Sequence, residues 1–155
     1  MNPLRIFLLA ALILVVFGMD NVDAEKEPEW SFPIDNTGYV KASISSDGEY
    51  IITGYSYVCD NDEYCGTVAL FKRNESTPLW SYDEKCKSSC EYLSIAISDD
   101  GTYIAAGFAS SKLYLFGKDS STPLWNYTVS GCAYAYCGKI TSVDISADGE
   151  YIVAG

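Results

Sequence analysis

The chain has 155 residues, 21 of them acidic against 10 basic, with a formal net charge of −11 and no histidine. Its length fits one domain. Its acidity repels phosphate backbones and anionic membrane faces, which argues against nucleic acid or a membrane surface as partner. The missing histidines remove the commonest general base and every Ser-His or Cys-His nucleophile arrangement.

Residues 1–24 read as a signal peptide. Arg5 and the amino terminus supply positive charge, Ile6 to Met19 form an almost unbroken apolar run, and Val22-Asp23-Ala24 precede Glu25 with short residues where a signal peptidase reads. A run of 14 residues, 6 through 19, falls short of the roughly 18–20 that span a bilayer. No cysteine precedes Cys59, which argues against a lipid anchor. Cleavage would remove Arg5, Asp20 and Asp23 and leave nine basic and nineteen acidic residues in a domain covering 25–155. The expectation is a secreted or extracytoplasmic protein, with no membrane insertion after the signal is lost.

From there the chain repeats itself. Ala42-Ser-Ile-Ser-Ser-Asp-Gly-Glu-Tyr-Ile-Ile-Thr-Gly54, Ser94-Ile-Ala-Ile-Ser-Asp-Asp-Gly-Thr-Tyr-Ile-Ala-Ala-Gly107 and Ser142-Val-Asp-Ile-Ser-Ala-Asp-Gly-Glu-Tyr-Ile-Val-Ala-Gly155 align with one another. A second motif follows the first two: Val68-Ala-Leu-Phe71 with Ser76-Thr-Pro-Leu-Trp-Ser-Tyr82, and Leu113-Tyr-Leu-Phe116 with Ser121-Thr-Pro-Leu-Trp-Asn-Tyr127. A leading Trp30-Ser-Phe32 matches only the end of that second motif. Gly48, Gly101 and Gly149 stand 53 and 48 residues apart, and Trp30, Trp80 and Trp125 stand 50 and 45 apart. The units cover about 42–82, 93–127 and 140–155.

Each unit predicts four strands. Alternating apolar residues such as Ile95 and Ile97 make the first. Asp-Gly turns the chain, because glycine reaches positive φ cheaply. The apolar return Tyr103–Gly107 predicts a strand covered on both faces, its closing glycine allowing close backbone approach. The Leu-Phe run is the third strand. Pro78 and Pro123, unable to donate to a ladder, suit the start of an outer fourth strand carrying the tryptophan. A β-solenoid has shorter coils without a tight hairpin in each, and a β-sandwich does not repeat its sequence. The fold expected is all-β, with β-propeller-type four-stranded antiparallel blades, about two and a half repeats and an incomplete ring. Closed rings use 4–8 blades. The count therefore predicts either a chain continuing beyond Gly155 or a ring completed by self-association, and the first is favoured because nothing at the terminus resembles a cap.

The Ser-x-Asp-Gly-x-Tyr-Ile-x-x-Gly segment resembles the first hairpin of WD-type repeats. The stretch from Leu113-Tyr-Leu-Phe to Pro-Leu-Trp125 is similar to the blade ending of quinoprotein-type (pyrroloquinoline-quinone, PQQ) propeller repeats. That second resemblance implies that Trp30, Trp80 and Trp125 dock against a neighbouring blade. No Trp is followed by Asp, there is no Gly-His pair, and Ser-Thr-Pro replaces the Thr-Gly expected before the docking tryptophan.

Six cysteines fall in three close pairs, Cys59/Cys65, Cys86/Cys90 and Cys132/Cys137. In an exported chain these read as local disulfides, and neither C-x-x-C spacing nor histidine supports a metal instead. The last two pairs recur after Trp80 and Trp125, as structural staples do. Cys59-Asp-Asn-Asp-Glu-Tyr-Cys65 is an insertion peculiar to the first unit and the most distinctive loop of the chain. Asp60, Asp62 and Glu63 are candidate calcium ligands, but the loop lacks the Asp-x-Asp-x-Asp-Gly cadence, so an acidic turn held by a disulfide is the reading preferred. Asn74-Glu-Ser76 and Asn126-Tyr-Thr128 fit the glycosylation sequon, Asn74 better placed because it lies in a predicted loop. Tyr50, Tyr103 and Tyr151 recur at one position and read as packing residues. Asp47, Asp100 and Asp148 read as turn formers.

No catalytic set emerges and no cofactor is expected. The sequence points to a non-enzymatic module that binds or scaffolds a protein or surface ligand. The alternatives are a fragment of a PQQ-dependent dehydrogenase and a calcium-dependent adhesion module.

Overall fold

A computed structural model describes residues 28–34, 37–59, 64–86, 93–130 and 138–155. Ten antiparallel strands form three sheets. The first contains β1 (Thr37–Ile44), β2 (Tyr50–Val58), β3 (Tyr64–Lys72) and β4 (Trp80–Cys86) in the order β1-β2-β3-β4. The second repeats this with β5 (Leu93–Ile97), β6 (Tyr103–Phe108), β7 (Lys112–Gly117) and β8 (Trp125–Thr128). The third is the hairpin β9 (Val143–Ile145) with β10 (Ile152–Ala154). These are two four-stranded blades and the first hairpin of a third, as the repeat predicts. The proline-led strands β4 and β8 lie at sheet edges, where a missing N–H does no harm.

The turn closing each first hairpin is built from side chains. Ser45 Oγ donates to Asp47 Oδ1 (2.6 Å) and accepts from Tyr50 N (3.0 Å), while Glu49 N donates to the same carboxylate oxygen (2.9 Å). Ser98, Asp100, Thr102 and Tyr103 repeat the arrangement, and so do Ser146, Asp148, Glu150 and Tyr151. Gly48, Gly101 and Gly149 have φ of 72°, 70° and 74°, the left-handed region in which an L side chain is strained. The turns also bond each other: Ser46 N donates to Asp99 O (2.9 Å), and Asp99 N to Ala147 O (3.1 Å).

The blades stack through one face of each second strand. In β2 the positions of Tyr50, Ile52 and Gly54 face the second blade; in β6 those of Tyr103, Ala105 and Gly107 face the third. A Cβ on Gly54 would lie 2.8 Å from Leu93, and one on Gly107 would lie 2.2 Å from Ile140 and 2.7 Å from Val143. The closing glycine is therefore required by the neighbour, not by the strand that carries it. Tyr50 and Tyr103 lie over the turn glycine of the next unit, since a Cβ on Gly101 or Gly149 would sit 2.5 or 2.3 Å from their rings. The main core fills the first seam, with Ile52, Val68 and Leu70 against Ile95, Ile104, Phe108 and Phe116. Tyr151 and Val153, the third copies of Tyr50 and Ile52, are 72% and 67% exposed.

The leading Trp30-Ser-Phe32 extends the pattern backwards. Trp30 stacks on Phe71 at 5.6 Å and Phe32 meets the same ring at 5.0 Å. One seam later, Trp80 and Tyr82 meet Phe116 at 5.4 and 5.1 Å. Trp30 Nε1 donates to Arg73 O, and Trp80 Nε1 to Lys118 O at 2.8 Å, the carbonyls lying two residues beyond the respective phenylalanines. Residues 30–34 thus lie on the first blade as β4 lies on the second, although they pair with none of the described strands. Trp125, the third tryptophan, is 40% exposed.

Candidate interaction site on the first blade

The strands on either side of the first-unit insertion are lengthened. β2 and β3 are each nine residues long, against six in β6 and β7. Their ladder runs unbroken from Tyr50↔Lys72 to Val58↔Tyr64. The added length is flanked by β1 as far as Tyr57 and by β4 as far as Tyr64, and the Cys59–Cys65 disulfide, with Cα atoms 5.8 Å apart, joins β3 to the residue that follows β2. Val58 and Tyr64 are exposed on β2 and β3, Tyr39 is exposed on the adjoining β1, and Tyr55 and Tyr57 form a half-buried ring pair with centroids 6.2 Å apart. Thr67 Oγ1 donates to Asp83 Oδ1 (2.5 Å), tying the hairpin to β4. Burial raises the Tyr55 hydroxyl pKa, so the ring stays neutral across physiological pH.

The remaining candidates are distributed as follows. Cys86, at the end of β4, is also disulfide-bonded. Cys90, Cys132, Cys137, the calcium candidates Asp60, Asp62 and Glu63, and the signal peptide lie outside the described residues. Among the described residues no group of three or more Cys, Asp or Glu could hold a metal. Asn74, in the β3–β4 connection, and Asn126, in β8, are both exposed.

Sequence reasoning missed a buried polar cluster at the first seam. Glu84 on β4 is 6% exposed. Its Oε2 accepts from the Tyr114 hydroxyl at 2.7 Å and the Tyr82 hydroxyl at 3.4 Å, and Lys112 Nζ lies 2.7 Å from Oε1. Desolvation, and then the hydrogen bonds with Tyr82 and Glu84, push the Tyr114 hydroxyl pKa well above its ordinary range. Glu84 and Tyr114 occupy positions that differ from unit to unit, which alignment by recurrence passes over.

The turn carboxylates carry a pH dependence. Ser45 and the Glu49 amide lower the pKa of Asp47, and Ser146 and the Glu150 amide lower that of Asp148; the Thr102 hydroxyl leads the causes that bring Asp100 from 3.8 down to about 2. A depressed folded-state pKa contributes stability that is fully present above the unfolded-state value and is lost as pH falls through the folded one. The turns should therefore hold undiminished at pH 5–7 and weaken between about pH 4 and pH 2. Denaturant midpoints measured across that range should fall for the unaltered chain, and Asp100→Asn should flatten the slope while lowering the plateau.

No family model matches the sequence, and a search of curated proteins finds no match. Solved structures do match. The WD40 repeats of RRP9 superpose with a TM-score of 0.53 at 14% identity, covering 73% of this chain and 31% of that one. U3-55K gives the same values. The β-propeller domain of Myceliophteria thermophila Cps50 (Swd1) gives a TM-score of 0.51 at 12% identity, covering 78% and 34%. The fold is that of β-propeller blades. The chain spans about a third of the length of these structures, and its described strands do not close a ring. They support the WD-type resemblance and do not specifically support the quinoprotein one.

Proposed function

We propose that the chain belongs to an exported, non-enzymatic propeller that scaffolds protein association, and that the β2–β3 hairpin is its contact surface. One observation carries this reading. The first blade lengthens β2 and β3 beyond what its neighbour uses, joins their ends by the Cys59–Cys65 disulfide, and exposes Val58 and Tyr64 beside it. Rigid aromatic side chains give large contact area at small entropy cost, as binding hot spots do. Export accounts for the disulfides and for residues 1–24, and makes Asn74 and Asn126 candidates for glycan attachment.

The test is site-specific. A photo-crosslinking amino acid at position 64 should capture a discrete partner from the exported chain's own host. Excess unlabelled chain should compete, and a Tyr39→Ser/Val58→Ser/Tyr64→Ser variant should not. The same probe at the exposed position 75, between the two blade motifs, should capture nothing. Equal capture at both positions would remove the hairpin from the account. Amino-terminal sequencing of the exported chain should begin at Glu25, and a glycosidase should lower the mass of the product if either sequon is occupied.

A further inference from the structure

The Glu84 cluster sits at a seam, and the seams are otherwise alike. Where residues 30–34 meet the first blade and where β4 meets the second, a tryptophan packs on a phenylalanine near the end of a third strand and donates its indole N–H to a carbonyl two residues on. Contacts that repeat cannot tell one blade from the next. A chain of similar sheets therefore has a hazard: β4 can settle on the first blade, or residues 30–34 on the second, within one chain or exchanged between two. The positions that do not repeat differ in chemistry. Residues 30–34 present Ile34 where β4 presents Glu84 and β8 leads to Val129. The third strands present Thr67 and Ala69 on the face that receives residues 30–34, and Lys112 and Tyr114 at the first seam, where β4 docks.

We propose that Glu84, Tyr114 and Lys112 form a register key that selects the sheet on which β4 docks. In the native seam the carboxylate, though buried, receives two hydroxyl protons and an ammonium group. Docked on the first blade, it would face the positions of Thr67 and Ala69, which offer no cation. Conversely, Ile34 docked on the second blade would leave the buried Tyr114 hydroxyl without its acceptor, while Lys112, 39% exposed, would turn to solvent. A buried charge pair adds little net stability over an apolar replacement, but a buried charge without its partner is strongly destabilising. That asymmetry is how a polar group specifies register, by penalising the wrong partner.

The key makes a prediction that a purely stabilising cluster does not. The full chain, disulfides intact, is unfolded in denaturant and refolded at a series of concentrations, and oligomers are quantified by light scattering after size exclusion. Glu84→Ile with Lys112→Met and Tyr114→Phe replaces the key by apolar groups. Its denaturation midpoint should stay near that of the unaltered chain, while the exchanged-oligomer fraction rises roughly fivefold or more, since the partner penalty is gone. Glu84→Gln, which keeps the shape and an acceptor, should raise that fraction less. Ser45→Ala, destabilised in a turn away from the key, should lower the midpoint without raising the fraction. If the triple variant and Glu84→Gln both refold to the same oligomer distribution as the unaltered chain, the key does not exist. If the triple variant fails to fold, an unchanged distribution for Glu84→Gln alone overturns the proposal.

Discussion

Replacing Trp80 by alanine should remove about 3 kcal/mol of stability, while the same change at Trp125 should remove no more than about 1 kcal/mol. The two residues occupy the same repeat position. Trp80 packs on Phe116 in a tilted ring pair at 5.4 Å, donates its indole N–H to Lys118 O and packs against the main core. Its removal deletes a large apolar contact and a hydrogen bond, and leaves a cavity at the seam that, among the described residues, has four strands on both sides. Such truncations cost about 3–5 kcal/mol when the ring is fully buried, and Trp80, half-buried, belongs at the low end. Trp125 is 40% exposed, so its truncation leaves no comparable cavity. Trp30→Ala should fall between them: its ring has the same partner type, but residues 30–34 have no strand pairing among the described residues. Urea titrations of the three variants give the comparison. Equal losses at Trp80 and Trp125 would mean that the tryptophans act within their own blades.

What was legible in the sequence was whatever the physics makes local or repetitive. The Ser-x-Asp-Gly turns could be placed because serine, aspartate and glycine each have one job within six residues, and the structure shows the same three jobs in every copy. Edge strands could be assigned because proline cannot sit in the middle of a ladder. Face-to-face stacking could be foreseen from the unbroken apolar run at Tyr103–Gly107, all of it buried or nearly so. Three features escaped. The first-unit insertion was placed at Cys59–Cys65, but the strands that lead into it are longer than their counterparts in the second unit, since Tyr55, Tyr57, Val58 and Tyr64 have the β-propensity to extend the ladder. Trp30-Ser-Phe32 matched only the end of a motif, and nothing local told which blade would receive it. The Glu84 cluster joins positions 28 and 30 residues apart that do not recur, so both local reasoning and repeat alignment were blind to it. The available signal was the exception itself, a glutamate where the aligned positions hold isoleucine and valine.

The turn glycines offer a second contrast in which one chemical change separates two effects. Gly48→Ala should cost about 1 kcal/mol, the penalty for an L residue in the left-handed region, because nothing lies within 4 Å of the added Cβ. Gly101→Ala carries the same backbone penalty at φ 70° and also drives a methyl to 2.5 Å from the Tyr50 ring. Overpacking of that kind adds about 1–3 kcal/mol, for a total near 3 kcal/mol. Tyr50 is poorly placed to yield, since its backbone N–H is held by Ser45 Oγ and its ring lies 5.6 Å from the Lys118 ammonium. The excess belongs to the seam and not to the turn, so it should disappear when the ring is removed. In Tyr50→Ala/Gly101→Ala the two losses should sum to less than their separate values by about 1–2 kcal/mol, whereas Tyr50→Ala/Gly48→Ala should be additive. Measured midpoints in which Gly48→Ala and Gly101→Ala are equally damaging, or in which both double variants add simply, would show that the recurrent tyrosine does not clamp the following blade. The coupling would then have to be sought in the backbone bonds between turn tips, Ser46 N to Asp99 O and Asp99 N to Ala147 O.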